Sequence, residues 1–333
     1  MTSEATADPG TATIRPASLL WGLGGVLAAL ALLSMLIGPA GFGLPDRAAG
    51  LILMEIRLPR TLLAMLVGGA LGLSGAVLQG YLRNPLAEPG VIGVAGGAGL
   101  GAVLAIHSGA AAAFALALPL GGLAGAAMAM LAVLLLAGRE GGALSLILSG
   151  VAVSSLAAAL ISGVLALSRN PFAAVEIVFW LLGSLADRSM THVWLAGPFI
   201  VAGLALMLAQ GRALDALALG EDVGRNLGVE PERLRLAIVT GAALSVGAAT
   251  AVAGSIGFVG LVVPHVLRPF VGHLPSRLLP ASLLGGAILL LAADIALRLI
   301  TPAGELRLGV VTALLGTPFF LWMVAKSRRE LEP

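Results

Sequence analysis

Asp294 and Arg298 stand four residues apart inside a long apolar run. On a helix that spacing puts both on one face, where they can pair. An ionised group at the bilayer centre costs roughly 2.5–3.5 kcal/mol on insertion scales, so it turns toward a protein interior and finds a partner. Asp294 is therefore a candidate proton or substrate site, or one half of a structural ion pair near the outer end of a helix. A lone acid with its own arginine makes a poor proton carrier, which favours the structural pair. His265 follows Pro264, and His273 lies across an expected helix end. With no Cys in the chain and no second His at ligand spacing, these residues do not form a metal site. Lys326 is the one lysine and follows Ala325, so no Walker A sequence can be drawn. No nucleophile and base stand at catalytic spacing.

Two polar interruptions carry more information. Arg83-Asn84-Pro85-Leu86-Ala87-Glu88-Pro89-Gly90 places two prolines and an acid between apolar runs. Prolines this close stop helices, so the chain turns sharply there. Irregular backbone at membrane depth is tolerated where it lines a cavity, so the segment is a pore-side constriction or an ordinary cytoplasmic turn. The longest polar stretch, 210–235, contains two helical patches, Leu214 to Gly220 and Glu221 to Gly228. Each ends at a glycine, the favoured C-terminal stop. Both are too short to stand alone, and Leu214, Leu217, Val223 and Leu227 need a partner surface. A docking element for a cytoplasmic protein or a linker lying on lipid would provide one.

The elements around these residues are membrane helices. Hydrophobic residues make up 59% of the 333 and charged residues 11%, against about 25% charged in a soluble domain. The apolar runs are long and continuous, which fits helices and not a barrel. Ten such segments occur, at 19–37, 61–80, 90–106, 114–137, 144–167, 193–210, 235–254, 256–271, 278–300 and 308–325. The stretch 172–186 is apolar but short and reads as re-entrant or interfacial. The fold class is all-α and polytopic. A polar N-terminal stretch over 1–18 is expected to be disordered, the membrane-spanning body covers 19–326 with a cytoplasmic polar segment at 211–234, and 327–333 is a tail. The first run is too long, and its flank too acidic, for a cleaved signal. With the N-terminus inside, twelve Lys and Arg fall on the inner side and seven on the outer, so both termini are expected in the cytoplasm. Forty-six glycines suit close helix crossings. A weak repeat relates Gly68-Gly69-Ala70-Leu71 with Gly75-Ala76 to Gly241-Ala242-Ala243-Leu244 with Gly247-Ala248, in the manner of inverted-repeat transporters. A net charge of +2 with no basic stripe excludes a nucleic-acid partner.

Taken together, four blocks resemble the iron–siderophore and vitamin B12 importer permease family, over nearly the whole chain after residue 50. They are Arg57-Leu58-Pro59-Arg60 with Gly68-Gly69-Ala70-Leu71 and Gln79; Arg83 to Gly90 with Gly93 and Gly97-Ala98; Gly257 to His265 with Arg268; and Ala293-Asp294, Arg298, Glu305-Leu306, Gly309 and Gly316-Thr317-Pro318-Phe319-Phe320. The resemblance implies a ten-helix subunit of the vitamin B12 permease type in the cell inner membrane. It pairs with a second copy or a paralogous permease. It also engages a pair of ATP-binding subunits and a periplasmic or lipid-anchored substrate-binding protein. The cargo it implies is a ferric siderophore, with vitamin B12 or haem as alternatives. It further implies that Arg57, Arg60 and Arg298 dock the binding protein, and that Asn84 and Leu86 form the inner gate. Leu214, Leu217, Glu221, Asp222, Val223 and Leu227 would couple to the ATPase. The chain itself would hold no cofactor, with ATP and Mg on the partner. The sequence departs from the family at Arg307, where a proline is usual, and over 273–277.

A proton-coupled secondary transporter using Asp294 is the rival reading, and a membrane-embedded enzyme has no residues to support it. The missing Walker A generates a first prediction. The purified single chain hydrolyses no ATP, and turnover by a contamination-checked preparation would overturn the assignment of ATP to a separate subunit.

Overall fold

A computed structural model describes residues 16–38, 41–42, 49–138, 142–301 and 306–331. Among these, eight helices are long and apolar enough to cross a membrane, and three shorter apolar helices accompany them. The long ones are α1 (Pro16–Leu36), α2 (Leu58–Tyr81, entered through a π turn at Ile52–Arg57), α4 (Ala117–Ala137), α5 (Ala143–Leu167), α7 (Met190–Leu208), α10 (Pro231–Ala253), α12 (Pro275–Ile300) and α13 (Leu308–Leu331). The short apolar ones are α3 (Val94–His107), α6 (Pro171–Leu181) and α11 (Val259–Leu267). Two polar helices, α8 (Gly211–Ala218) and α9 (Glu221–Asn226), occupy the long interruption. A two-residue ribbon, β1 (Ile37–Gly38) with β2 (Gly41–Phe42), follows α1.

All ten expected segments are helical, and the ambiguous 172–186 stretch is the short helix α6. Asn170 caps it by accepting from Phe172 N–H at 3.0 Å, and Gly183 turns the chain with φ +71°. Two boundaries differ. Helix α1 begins at Pro16, inside the stretch expected to be disordered, and residues 1–15 lie outside the described ones. Helix α13 continues to Leu331, past the expected start of a tail at 327.

Helices α2 and α10 form the centre, with most of each buried by neighbours, whereas α1 is peripheral. These two carry the copies of the weak repeat, and they meet where Ser74 Oγ and Ser245 Oγ hydrogen-bond at 3.3 Å. Helix α2 lies against α12 so closely that a Cβ on Gly68 would overlap the carbonyl of Gly286, and the reverse holds equally. The same reciprocal backbone contact joins α3 and α4 at Gly97 and Gly125. Such contacts are how helices associate where lipid supplies no hydrophobic drive.

Filling a backbone-to-backbone crossing forces the helices apart. Gly286→Leu is expected to destabilise by about 1–3 kcal/mol or more. Gly22→Leu on α1, where nothing lies within 4 Å, is expected to be neutral. Unfolding of both variants in mixed micelles checks the contrast.

Candidate functional site

The polar residues of the bundle gather at its two ends. At the end expected to face outward, Asp294 is fully buried and its two oxygens accept from two arginines. Arg60 Nε donates to Oδ1 at 3.0 Å and Nη2 to the same oxygen at 2.7 Å. Arg298 Nε donates to Oδ2 at 2.9 Å, and its Nη2 pairs with the same oxygen. The i,i+4 pairing is thus present, with an additional arginine from α2. The remaining N–H groups of Arg298 reach Ser34 O at 3.0 Å, Ile37 O at 3.1 Å and Ser34 Oγ at 2.8 Å. Arg57 Nη1 donates to Met35 O at 2.7 Å. The last carbonyls of a helix lack intrahelical partners, and cations are favoured there. Two arginines therefore cap α1 and tie it to α2 and α12.

This burial corrects one expectation. Arg57 and Arg298 are 6% and 5% exposed, so their guanidiniums are committed inside the chain and are not offered to a docking protein. Arg60 alone of the three retains partial access. A substitution at Arg57 or Arg298 would test the integrity of the α1 attachment before it tested docking. The π turn at Ile52–Arg57 directly precedes α2 and delivers Arg57 to the interior.

At the opposite end the Arg83–Gly90 segment is a sharp, well-bonded turn. Asn84 Oδ1 accepts from Leu86 N–H at 2.9 Å and Asn84 O from Ala87 N–H at 3.1 Å. Asn84 and Leu86 are exposed, and Asn84 lines a cavity of about 350 Å3 together with Gln79, Arg83, Arg268 and His273. Gln79, buried near the end of α2, holds this turn to α11. Its Nε2 donates to Gly260 O at 3.2 Å and Ala87 O at 3.4 Å, and its Oε1 accepts from Arg268 Nη2 at 2.7 Å. Glu88 makes the second link, accepting from Phe258 N–H at 2.6 Å at the start of α11. Phe258 has φ +67°, a left-handed conformation that costs a bulky residue energy. The bond from Glu88 and the close seat against Gly316, where any Cβ would overlap Phe258, hold it there.

The polar segment forms the two expected helices, each stopped by a glycine with positive φ, Gly220 at +118° and Gly228 at +86°. Its leucines divide unexpectedly. Leu214 and Leu217 are buried within the chain, Leu214 against Gly80 of α2, so their partner surface is the bundle itself. Val223 and Leu227 are exposed, at 42% and 63%, as is Leu219 at 68%. Glu221 and Asp222 are also exposed. Two contacts lead inward: Asp215 Oδ1 caps α12 by accepting from Ser276 N–H at 2.8 Å, and Glu221 Oε1 pairs with Arg83 Nη2 at 2.7 Å.

A family model described as the FecCD transport family matches residues 17–326. The chain belongs to the FecCD transport family. The vitamin B12 import system permease BtuC of Salmonella typhimurium is 41% identical over 280 residues, 84% of this chain and 85% of that protein. The ABC transporter permease YvrB of Bacillus subtilis is 41% identical over 285 residues, 84% of this chain and 80% of its own. A solved structure described as a metal-chelate type ABC transporter in an inward-facing conformation covers 93% of this chain and 99% of its own. It does so with 34% identity and a TM-score of 0.85. This FecCD member is therefore a multi-pass ABC importer permease, a transport component whose ATPase is a separate subunit.

Gln79, Glu88, Arg268 and Leu219 were not assigned roles from the sequence. Gln79 sits in an otherwise apolar helix end, and a buried amide there is a signal that backbone groups nearby need partners. Nothing local marks Glu88, because its partner lies 170 residues away.

Burial raises the Glu88 carboxyl above its ordinary range, and the Phe258 N–H opposes this. A carboxyl raised in the folded state binds its proton more tightly there. Its contribution to stability is therefore full below the unfolded value of 4.5 and fades as pH rises through the folded value. Glu88→Gln keeps an acceptor for Phe258 without the charge. It is expected to hold wild-type stability or better at neutral pH and to lose this pH dependence, whereas Glu88→Leu destabilises by about 1–3 kcal/mol. Thermal unfolding in detergent across pH checks both variants.

Proposed function

We propose that this permease carries a metal chelate, in the first place a ferric siderophore, from an outer binding protein to the cytoplasm. ATP and Mg on a pair of partner subunits drive the transport. Both termini lie inside, in keeping with the excess of Lys and Arg on that side. The permease works as a dimer with a second copy or a paralogue. The observation that carries the reading is the contact between the polar helices and the gate turn. Glu221 on α9 holds Arg83, the residue beside Asn84 and Leu86, while Asp215 on α8 holds the start of α12. A partner can shift an equilibrium only through contacts that differ between states. The Arg83–Glu221 pair is solvent-exposed, and such pairs contribute about 0–1 kcal/mol, which leaves it free to break and reform.

The ATPase seats on the exposed apolar residues Leu219, Val223 and Leu227, beside Glu221 and Asp222, while Leu214 and Leu217 keep α8 fixed to the bundle. On the outer face Arg60 meets an acidic side chain of the binding protein, with Arg57 and Arg298 holding α1 and α12 behind it. Vitamin B12 is the second reading for the cargo, favoured by the names of the BtuC relatives. A proton-coupled carrier is disfavoured because every oxygen of Asp294 is occupied by guanidinium N–H groups.

Leu219→Asp with Leu227→Asp would bury charge in the ATPase contact, which is costly without a partner. The double variant is expected to fold, to lose co-purification with the ATPase and to abolish transport in liposomes. Wild-type ATPase stoichiometry would refute the coupling surface. Arg83→Glu is expected to lower transport without loss of the ATPase, and Arg83→Glu with Glu221→Arg to recover part of it.

A further inference from the structure

The outer end of the bundle contains a cavity of about 680 Å3 whose walls include Glu55, Arg60, Arg188, Arg298, Thr301 and Arg307. Four guanidiniums line it against two carboxylates, Glu55 and Asp187. Arg60 and Arg298 are already neutralised in part by the buried Asp294 they share. Arg188 and Arg307 are not: neither joins an ion pair among the described residues.

Both are nonetheless held in place. Arg188 Nε donates to Val252 O at 2.6 Å, which anchors the head of the side chain to the end of α10; its Nη groups join no ion pair among the described residues. Asp187, with φ +58°, sets the turn that delivers it. Arg307 lies over the ring of Phe179 at 4.9 Å, a contact that favours a fixed cation. Its Nε is buried and has no hydrogen-bond partner among the described residues. Burial disfavours the Arg188 cation, and the nearby Arg307 disfavours it further, against some relief from Asp187. Two like charges, partly buried, fixed in one concave space and without an ion-pair partner among the described residues, form a site suited to an anion. The size of the cavity decides what that anion belongs to. One carboxylate side chain would leave most of it empty, whereas 300–1,000 Å3 is the ordinary range for a small-molecule pocket. Ile56, Leu185, Leu297 and Leu306 supply apolar wall for an organic body.

We infer that Arg188 and Arg307 receive an oxyanion of the cargo, a carboxylate or phosphate on the chelate, at the outer mouth of the pathway. The inference rests on the importer reading and narrows its substrate to anionic chelates. Arg307, a departure from the pattern of the resembling permeases, is then a specificity residue and not a stray charge.

The test measures equilibrium binding of radiolabelled ferric citrate and of a neutral ferric trihydroxamate to the full-length permease in nanodiscs. Arg188→Gln with Arg307→Gln is expected to weaken ferric citrate binding by about tenfold or more, since two charge-assisted contacts are lost. Arg188→Lys with Arg307→Lys should stay within about threefold, because the charge persists. The trihydroxamate should be unaffected by either pair. Binding of ferric citrate should fall with added salt, as exposed ion contacts do.

Wild-type protein that fails to bind ferric citrate would overturn the inference. So would a glutamine variant that binds it normally, or equal loss of both chelates. A glutamine variant that loses only capture of cargo-free binding protein would assign the arginines to docking instead. Co-purification of the ATPase with each variant is read in parallel. Its failure in the wild type would sink the importer reading, while its retention in a variant that has lost ferric citrate locates the defect in the cavity.

Discussion

Hydrocarbon offers no water to a buried charge, and Asp294 has no exposed surface at all. Its retention requires that every lone pair find a donor inside the protein. Arg60 and Arg298 supply those donors, and the arginines in turn need acceptors for their other N–H groups. Arg298 finds them at the C-terminal end of α1 and just beyond it, at the carbonyls of Ser34 and Ile37. Each unsatisfied group is thus the answer to another. The peripheral helix α1, which buries little of its own surface, is tied to the bundle by this network as well as by the leucines it packs on the core. Removing any one member would leave a charge or a carbonyl stranded, and truncating one partner of a buried pair typically costs more than the pair contributes.

The inner end solves the same problem with an amide and a carboxyl. The Arg83–Gly90 turn cannot make helical hydrogen bonds because of its prolines. Gln79 and Glu88 take up the slack by bonding to Ala87, Gly260 and Phe258. The turn is therefore irregular yet well bonded. Its attachment to α11 is through buried groups, whereas its attachment to α9 is the exposed Arg83–Glu221 pair.

Much of this was legible beforehand. Length of apolar run gave the helices, and the proline pair gave the turn. The i,i+4 spacing gave Asp294 with Arg298, and the glycines at 220 and 228 marked the ends of the polar helices. What escaped had a common cause. Leu214 and Leu217 look like Val223 and Leu227 in a six- or eight-residue helix, because burial is decided by distant elements, as where Leu214 packs on Gly80 of α2. Arg57 and Arg298 resemble docking residues in a linear pattern, since only the fold shows that α1 ends beside them. Arg60, Glu88 and Arg188 likewise have partners in distant segments. Local patterns report what a residue can do, and burial by remote elements decides which option is used. The high glycine content had two explanations, composition bias or close packing, and the reciprocal overlaps at Gly68 with Gly286 and Gly97 with Gly125 support packing at those crossings.

Those crossings also bear on how such a molecule can deform. Where side chains interlock, a helix pair can shift by exchanging rotamers and settling into a new fit. Where backbone meets backbone there are no rotamers to exchange, and any slide brings a peptide group into a neighbour's carbonyl. Helix α2 with α12, and α3 with α4, are each welded in this sense and should travel as solid pairs. Displacement is then confined to the stretches that connect them. Residues 82–93 are the direct link between the two pairs, joining α2 to α3. That same segment bears the exposed Asn84 and Leu86, so any relative movement of the two solid pairs would be felt first at those side chains.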